Sequence, residues 1–268
     1  MKTLYRALVL VILNILKIKK ILDIKFGSTH FRFKYVPYLK KYGGRGLFLQ
    51  RQYLEDLLEY GDRFLRYGDV CIDGGANQGI YTVAFGHYVG PAGKVVAVEP
   101  MTYAIPLIEN NCALNNIANV EIVNAGLSDE DGEATLDYNT GAGGASIVHN
   151  RAGPAKERIK CRTIDTLTTE LDLNRVDFIK LDIEGAEEKA LKGSRQTIAA
   201  NHPIIVLESS EKQGKVDALQ EELRHYGYEG FRMCGRTGEL ISKDDVLRGS
   251  QNVFFIPQHR IFKNYHAA

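Results

Sequence analysis

Residues 70–79 read Val70-Cys71-Ile72-Asp73-Gly74-Gly75-Ala76-Asn77-Gln78-Gly79. The apolar start of this stretch predicts a buried strand that ends at Asp73, and its glycines predict a tight turn before a helix. Asp73, Gly75, Asn77 and Gly79 fall at alternate positions. Because glycine has no Cβ, the backbone of such a turn can come close to a bound ligand. The stretch therefore predicts a strand, turn and helix unit with a ligand site at the turn.

A second apolar run, residues 95–98, ends in Glu99. A carboxylate at that strand end can accept hydrogen bonds from the hydroxyls of a ribose. A dinucleotide fingerprint reads G-x-G-x-x-G and offers bare backbone amides to a pyrophosphate, which Asp73 would repel. The Asp73 carboxylate instead suits the cationic sulfonium and amino group of S-adenosylmethionine. The two strand ends thus favour S-adenosylmethionine over NAD, and NAD-dependent hydride transfer is the weaker alternative.

Beyond residue 68, predicted strands and helices alternate along the chain. Strands are predicted at 69–73, 94–99, 120–124, 177–182 and 204–208, helices at 80–88, 104–115, 186–199 and 215–226, and a closing antiparallel pair at 231–234 and 252–257. A helix over 49–66 precedes them, and strands at 134–138 and 159–162 flank a glycine-rich loop at 139–146. The alternation predicts an α/β fold, a doubly wound and mainly parallel sheet of seven strands, with an N-terminal helical extension.

Polar residues end five of the predicted strands, where ligands bind in open α/β sheets: Asp73, Glu99, Asn124, Asp182 and Glu208. If the strands ending at Asp182 and Glu208 are neighbours, both carboxylates face one crevice. They could hold a divalent cation such as Mg²⁺, which would lower the pKa of a substrate hydroxyl. Alternatively, one of them could act directly as a general base. The sequence leaves both alternatives open.

Two further acids, Glu184 and Glu187, surround the predicted helix start after Asp182. The helix dipole favours carboxylates there, so capping is the plainer interpretation of Glu187. Tyr81, in the first turn after Gly79, is predicted either to contact the cofactor or to pack in the core. The sequence contains no Walker loop, nucleophile elbow or zinc pattern, and none of its seven histidines has ligand spacing to another.

Taken together, these motifs resemble the FkbM-type family of S-adenosylmethionine-dependent methyltransferases over roughly residues 49–257. The motifs that carry the resemblance are Asp73-Gly74-Gly75-Ala76-Asn77-Gln78-Gly79, Val98-Glu99-Pro100, Asn115-Asn116, Ala125-Gly126-Leu127-Ser128-Asp129, Thr163-Ile164-Asp165-Thr166-Leu167 and Ile179-Lys180-Leu181-Asp182-Ile183-Glu184-Gly185-Ala186-Glu187. The last of them, with its lysine and its D-x-E-G-A-E run, is the most specific to the family.

The resemblance implies O-methylation of a hydroxyl on a sugar, glycolipid or secondary metabolite. It implies that Asp73, Gly75 and Asn77 line the methionine end of the cofactor, that Glu99 binds the ribose, and that Asn124 and Ala125 border the adenine. It places Asp182 and Glu184 beside the acceptor. The candidate cofactor contacts are altogether Asp73, Gly75, Asn77, Gly79, Tyr81, Glu99, Pro100, Asn124, Ala125 and Asp182. The candidate catalytic residues are Asp182, Glu184 and Glu208, of which Asp182 and Glu208 are also the candidate metal ligands.

Two alternatives of other classes stay open at this point. One is an N-directed or protein-directed methyltransferase of the same fold. It would favour an N/D-P-P-Y-like run after the fourth strand, where this chain has Asp182-Ile183-Glu184-Gly185. The other is a non-enzymatic, membrane-associated partner protein on this fold, against which the intact Asp73 and Glu99 argue.

The N-terminal segment differs from the rest in charge. Residues 1–45 contain eleven Lys and Arg but one acid, Asp23, although the whole chain has a net charge of +1. Residues 7–18 are almost wholly apolar but shorter than the roughly 20 residues that a spanning helix needs. We expect a helix that lies on a membrane, packs on the protein or a second copy, or serves as a signal or anchor. The predicted division is an extension at 1–48 and a methyltransferase domain at 49–268.

The four cysteines lie far apart without a C-x-x-C motif, which is typical of a protein in a reducing cytoplasm. The expected location is therefore cytoplasmic, with residues 1–45 able to contact the inner face of the membrane through their basic charge. The expected partner is a small-molecule or glycan hydroxyl acceptor. No nucleic-acid partner is expected, and a homodimer remains open.

Overall fold

The computed structural model describes residues 9, 20–35, 56–138, 145–146, 155–208, 213–233, 238–242 and 252–264. The strands are β1 Lys20–Phe26, β2 Thr29–Tyr35, β3 Val70–Gly74, β4 Lys94–Val98, β5 Val120–Val123, β6 Gly126–Leu127, β7 Gly132–Tyr138, β8 Ala145–Ser146, β9 Ala155–Arg162, β10 Phe178–Leu181, β11 Ile204–Glu208, β12 Tyr228–Met233, β13 Leu240–Ser242 and β14 Asn252–Pro257. The helices are α1 Asp56–Tyr60, α2 Ile80–Val89, α3 Ile105–Leu114, α4 Ile164–Glu170, α5 Glu187–Lys192, α6 Arg195–Asn201, α7 Gln213–Arg224 and α8 Gln258–Asn264.

The central sheet has the strand order β13-β12-β14-β11-β10-β3-β4-β5. The strands from β11 to β5 run parallel, whereas β14 is antiparallel to both β11 and β12. This confirms the predicted α/β, doubly wound and mainly parallel sheet with its closing antiparallel pair. The predicted count of seven strands is wrong, because β13 pairs with β12 and makes an eighth among the described residues. Three residues are too few to show a hydrophobic period in the sequence.

The central strands are buried on both faces, as expected for parallel strands covered by helices. Their side chains alternate between two apolar cores. Cys71, Phe178 and Val206 belong to the core that also contains residues of α2, and Ile72 and Ile179 belong to the opposite core. Burying one such large apolar side chain contributes roughly 1.5–3 kcal/mol, so the alternation fixes which face each residue of these strands takes.

A hairpin of β1 and β2 covers the first of these cores. Its buried side chains are Leu22, Ile24, Phe26, Phe31 and Phe33. The backbone amides of Arg32 and Lys34 donate to the side-chain oxygens of Asn115 and Asn111, at 2.8 and 2.9 Å, which ties the hairpin to α3. The helix predicted at residues 7–18 lies outside the described residues except for Val9, which is helical and packs on this core. The division of the chain at residue 48 stays a prediction.

The prediction of a single helix over residues 186–199 is wrong in one respect, since this stretch contains two helices, α5 and α6. Gly193 lies between them, and a Cβ there would come within 2.2 Å of the carbonyl oxygen of Ser128. Asp165 then caps α6 by accepting from the backbone amides of Gln196 and Thr197 at 3.0 and 2.8 Å. The helix therefore breaks because of contacts with segments that are distant in sequence.

Outside the central sheet, a second sheet has the order β6-β9-β7-β8. It contains both strands predicted around the glycine-rich loop, of which residues 139–144 lie outside the described residues. Helix α4 was not predicted, and Thr163 caps it by accepting from the amide of Thr166 at 2.9 Å. Of the helix predicted over 49–66, the described part contains α1 and a 3₁₀ turn at Gly61–Arg63. Among the described residues, no helix combines the length and apolar character needed to cross a bilayer.

Candidate active site

The candidate site lies where the carboxyl ends of β3, β4, β10 and β11 meet. The strand order reverses here, since β3 is followed in the chain by β4 on one side and later by β10 on the other. Asp73 and Lys180 are register partners in neighbouring strands, so their side chains leave the same face of the sheet. Asp182 follows two residues after Lys180 and takes that face as well. The fold therefore gathers charged side chains on one face of the sheet at its ligand-binding edge.

Asp73 is fully buried at the end of β3. Its Oδ2 accepts a hydrogen bond from the Thr82 hydroxyl at 2.6 Å, while its buried Oδ1 has no hydrogen-bond partner among the residues that the structure describes. Burial raises the pKa of Asp73, against the opposing effects of the Lys180 charge and the Thr82 hydrogen bond. A buried carboxylate oxygen without a partner is costly. The amino group or sulfonium of S-adenosylmethionine would supply the missing positive charge, so this residue fits that cofactor.

Glu99 follows β4 and is 6% exposed. Its Oε2 accepts from the backbone amide of Asn77 at 2.8 Å and its Oε1 from that of Met101 at 2.9 Å. Each carboxylate oxygen can accept a further hydrogen bond, as binding of two ribose hydroxyls requires. Burial raises the pKa of Glu99 from 4.5 to about 7, although the two amides act to lower it.

We expect nucleoside binding to depend on pH because of Glu99. Hydroxyl donors favour its carboxylate form, so a ligand with a ribose must displace the proton that Glu99 carries below about pH 7. The affinity for S-adenosylhomocysteine should therefore rise with pH, by up to about tenfold per pH unit, and level off above pH 7. Calorimetric titrations across this range measure it. The matched variant Glu99→Gln should bind more weakly and lack this pH dependence, and an equally steep dependence in the variant would contradict the assignment.

The turn between β3 and α2 depends on left-handed backbone. Gly75 and Gly79 have φ angles of +79° and +77°, and Asn77 has a φ of +53°. A Cβ on Gly75 would lie 2.0 Å from the carbonyl oxygen of Asp182. The turn after β3 thus packs directly on the backbone after β10, and only glycine permits that approach.

Asp182 and Glu208 lie side by side, because β10 and β11 are parallel neighbours. The Glu208 side chain lies within hydrogen-bonding reach of the Asp182 carboxylate, and this contact acts to lower the pKa of Asp182. The Asp182 side chain is 28% exposed, and its Oδ2 is 3.3 Å from the Nζ of Lys180. Burial acts to raise the pKa of Asp182, but the Lys180 charge and the Glu208 hydrogen bond outweigh it and hold that pKa below its usual range.

The loop after β10 is shaped by two further acids. Glu184 is exposed and has a φ of +53°, in the left-handed region that non-glycine residues rarely adopt. Glu187 is buried, and its Oε1 accepts from the amides of Ile183 and Gly185, both at 3.2 Å. Glu187 therefore stabilises the loop, in line with the capping interpretation, while Glu184 is exposed two residues after Asp182.

The remaining candidate residues lie around the end of β4. The side chain of Asn124 donates to the carbonyl oxygens of Glu99 and Pro100 at 2.9 and 3.0 Å, and Ala125 is buried beside it. The Tyr81 side chain is buried, with the Nζ of Lys180 4.2 Å from its ring centroid. The roles of all these residues stay predictions, as do the catalytic ones.

Sequence reasoning assigned no role to two residues of the site, Lys180 and Thr82. A lysine inside the four-residue buried strand Phe178–Leu181 was an available signal, because buried lysines need a partner. Thr82 gave no such signal, since a threonine in a helix is ordinary. As for the predicted cation site, the described part of the chain holds no group of three or more His, Cys, Asp or Glu that could bind a metal ion.

The fold is that of the class I, S-adenosylmethionine-dependent methyltransferases. Residues 73–229, more than half of the chain, match the family model of the methyltransferase FkbM domain. The chain belongs to the FkbM methyltransferase family, which confirms the resemblance.

Similar proteins agree with this assignment. The chain is 28% identical over 202 residues to the AMB antimetabolite synthetase AmbE of Pseudomonas aeruginosa, a match that covers 60% of this chain and 9% of that protein. It is 25% identical over 185 residues to the methyltransferase sdnD of Sordaria araneosa, with 56% of this chain and 71% of that protein covered. The crystal structure of methyltransferase FkbM from Methylobacillus flagellatus KT shares the fold, with 16% identity, a TM-score of 0.50 and coverage of 80% of this chain and 53% of that one.

Proposed function

We propose that this protein is an O-methyltransferase that uses S-adenosylmethionine to methylate a hydroxyl of a sugar, glycolipid or secondary metabolite. The observation that carries the proposal is the crevice with two kinds of acid. Within the described part of the chain, the buried Oδ1 of Asp73 has no hydrogen-bond partner, and the neighbouring acids Asp182 and Glu208 stand at the next two strand ends. The first suits a cationic cofactor, and the second suits removal of a proton from an acceptor.

The residues present fit the cofactor at both ends. Asp73 would hold its positively charged end, Glu99 its ribose, and the Gly75 turn would lie along it. Asn124 and Ala125 would border the adenine, because the Asn124 side chain fixes the backbone at Glu99 and Pro100. When bound, S-adenosylmethionine supplies a methyl group on a sulfonium sulfur that leaves as a neutral thioether.

The chain must then remove the hydroxyl proton of the acceptor. A free hydroxyl is far too weak an acid for a carboxylate of low pKa to deprotonate beforehand. As the oxygen becomes alkylated it turns strongly acidic, so a weak but well-placed base such as Asp182 suffices. Glu208, at the neighbouring strand end, would support the Asp182 carboxylate while Asp182 takes up this proton. Glu184 would contact the acceptor from the exposed loop.

The proposal favours oxygen over nitrogen acceptors because residues 182–185 read Asp182-Ile183-Glu184-Gly185 where an N-methyltransferase would favour an N/D-P-P-Y-like run. An amine acceptor must enter the site in its unprotonated form. The polar carbonyl groups of an N/D-P-P-Y-like run would orient it there. This chain has the acids Asp182 and Glu208 at the ends of the two neighbouring strands instead, which suits a base for a hydroxyl. The similarity to a region of an antimetabolite synthetase and to a fungal methyltransferase is compatible with a small hydroxylated metabolite as the acceptor.

The test combines binding and transfer. Calorimetry with S-adenosylmethionine should give a defined affinity, and Asp73→Asn should weaken it about 10- to 100-fold, because a charged hydrogen bond contributes roughly 1.5–3 kcal/mol. The matched control Asp129→Asn removes an exposed carboxylate outside the crevice and should bind normally. Equal affinities of the wild type and Asp73→Asn would contradict the site.

Transfer is then measured with methyl-labelled S-adenosylmethionine and panels of glycans, glycolipids, hydroxylated metabolites, amines and peptides. Label should appear as an ether in one of the hydroxyl classes. Label that resists alkaline hydrolysis but sits on nitrogen would overturn O-methylation while leaving the family assignment intact.

A further inference from the structure

The turn after β3, which binds the cofactor in the proposed function, is held from two sides. Its first half rests on the end of β4, where the amides of Gly75 and Ala76 donate to the carbonyl oxygen of Val98 at 2.9 and 3.2 Å. Its second half rests on α3, because a Cβ on Gly79 would lie 3.1 Å from the side chain of Ile108. The position of this second half therefore depends on the contacts that α3 offers.

Asn111 on α3 makes a side-chain hydrogen bond to that second half. It is 1% exposed, and its Nδ2 donates to the carbonyl oxygen of Gln78 at 2.8 Å. Its Oδ1 accepts from the backbone amide of Lys34 on β2 at 2.9 Å. Because a backbone carbonyl only accepts and a backbone amide only donates, these two partners allow a single orientation of the Asn111 amide. The hairpin of β1 and β2 thus determines that a donor faces the turn.

We propose that Asn111 is a positioning residue for the cofactor turn, and that the hairpin of β1 and β2 completes the cofactor site through it. The proposal rests on the assignment of this turn to S-adenosylmethionine in the proposed function. Asn111 touches no cofactor atom in this scheme. It holds the carbonyl of Gln78, and with it the left-handed backbone of Asn77 and Gly79 on either side. The hairpin lies outside residues 73–229, which match the family model.

The loss of this hydrogen bond should act on binding of the cofactor. Gln78 is buried, and a buried carbonyl oxygen that loses a donor is unfavourable. Without the Asn111 amide, the turn would relax away from the conformation that the cofactor requires. The cofactor would then have to restore that conformation as it binds, which lowers its affinity. Once the cofactor is in place, the turn is the same as in the wild type, so methyl transfer itself should change little.

Calorimetry with S-adenosylhomocysteine on the full chain measures this affinity. Asn111→Leu keeps nearly the same size but has neither donor nor acceptor. It should weaken binding about 3- to 10-fold, the effect typical of one lost hydrogen bond.

The matched control is Asn115→Leu, which changes the same residue type directly after α3. The Asn115 side chain also ties this helix to the hairpin, because its Oδ1 accepts from the amide of Arg32 at 2.8 Å and its Nδ2 donates to the carbonyl oxygen of Arg32 at 2.7 Å. Its Nδ2 also donates to the backbone of Asn111, so these bonds join the hairpin and α3 to each other and not to the turn. Asn115→Leu should therefore bind S-adenosylhomocysteine as the wild type does.

A second pair of variants tests the hairpin and covers the case in which Asn111→Leu does not fold. Lys34→Pro removes the amide that donates to Asn111, and proline is tolerated in edge strands such as those of this two-stranded hairpin. It should weaken binding about 2- to 5-fold, because the Asn111 amide is then free to turn over. Arg32→Pro removes the corresponding amide opposite Asn115 and should bind normally. Wild-type affinity in either Asn111→Leu or Lys34→Pro would overturn the proposal, and so would equal losses in the two controls.

Kinetics separate a positioning role from a loss of folded protein. With an acceptor in hand, Asn111→Leu should raise KM for S-adenosylmethionine about 3- to 10-fold and leave kcat within about twofold of the wild type. A smaller folded fraction would instead lower kcat and leave KM unchanged, and that result would also contradict the role of Asn111.

The same measurements distinguish this inference from the proposed function. If Asn111→Leu binds the cofactor more weakly but label appears on nitrogen, O-methylation fails and the role of Asn111 stands. If label reaches a hydroxyl and Asn111→Leu binds and reacts as the wild type does, only the role of Asn111 fails. If the wild type does not bind S-adenosylhomocysteine, the cofactor assignment and the role of Asn111 fail together.

Discussion

Asp182→Asn is expected to lower kcat for methyl transfer by about 10²- to 10⁴-fold, the range for removing a general base. The asparagine keeps the size of the side chain and its position beside Glu208, but it cannot accept the proton of the acceptor. The measurement is transfer of labelled methyl groups to the acceptor that the panels identify, under saturating S-adenosylmethionine.

Two comparisons make this result specific to proton removal. Calorimetry should give Asp182→Asn an affinity for S-adenosylmethionine that is reduced far less than that of Asp73→Asn. Glu208→Gln should lose less activity than Asp182→Asn, because its amide can still donate to Asp182, whose hydrogen bond with Glu208 is part of the site. Full activity of Asp182→Asn would remove Asp182 from the mechanism.

The same variants distinguish the base from the cation alternative. If Asp182 acts as the base without a metal ion, chelation with EDTA should leave the rate of methyl transfer unchanged. Loss of activity with EDTA and recovery with Mg²⁺ would instead favour a bound cation at this pair, as the sequence left open.

Gly75→Ala is expected to destabilise the fold by about 3 kcal/mol or more, from a left-handed backbone of about 1–2 kcal/mol together with a steric clash. The clash is severe because the new Cβ would lie 2.0 Å from the carbonyl oxygen of Asp182, a backbone atom that cannot swing away. Urea unfolding followed by circular dichroism measures the free energy of unfolding. Any folded fraction should also lose methyl transfer, since relief of the clash moves the backbone of Asp182.

Gly68→Ala is the matched control. Gly68 also has a positive φ, of +88°, but a Cβ there would meet nothing within 4 Å. Gly68→Ala should therefore lower the free energy of unfolding only through its left-handed backbone, by about 1–2 kcal/mol. If both variants lost the same free energy of unfolding, the close approach of the two loops would not be a source of stability.

Much of the fold follows from local pattern. The strands ending near Asp73, Glu99, Asp182 and Glu208 are apolar runs of four or five residues, and such runs between turn signals are readable in a sequence. The break at Gly193 and the short strand β13 were missed. The break depends on Ser128 and Asp165, which are distant in sequence, and β13, with three residues, is too short to show a hydrophobic period.

The candidate site, like the fold, could be predicted from the sequence only in part. The glycine turn and the acids at the strand ends are visible as residue types at characteristic positions, so the sequence predicts a nucleoside site and names its acids. Whether Asp182 and Glu208 meet depends on β10 and β11 being neighbours, which a list of strands does not specify. Lys180 and Thr82 became part of the site only through their distances to Asp182 and Asp73.

From the sequence one can predict an α/β methyltransferase fold with carboxylates at its strand ends. The spacing of apolar residues and the positions of glycines are local properties that can be read along the chain. Only the three-dimensional structure shows that Asp182 and Glu208 lie beside each other, that Oδ1 of Asp73 has no hydrogen-bond partner among the described residues, and that the Lys180 ammonium is 3.3 Å from Asp182. Those properties depend on separations of a few ångströms between neighbouring strands, of which β3 and β10 are about a hundred residues apart in the chain, since electrostatic interactions and hydrogen bonds act through space.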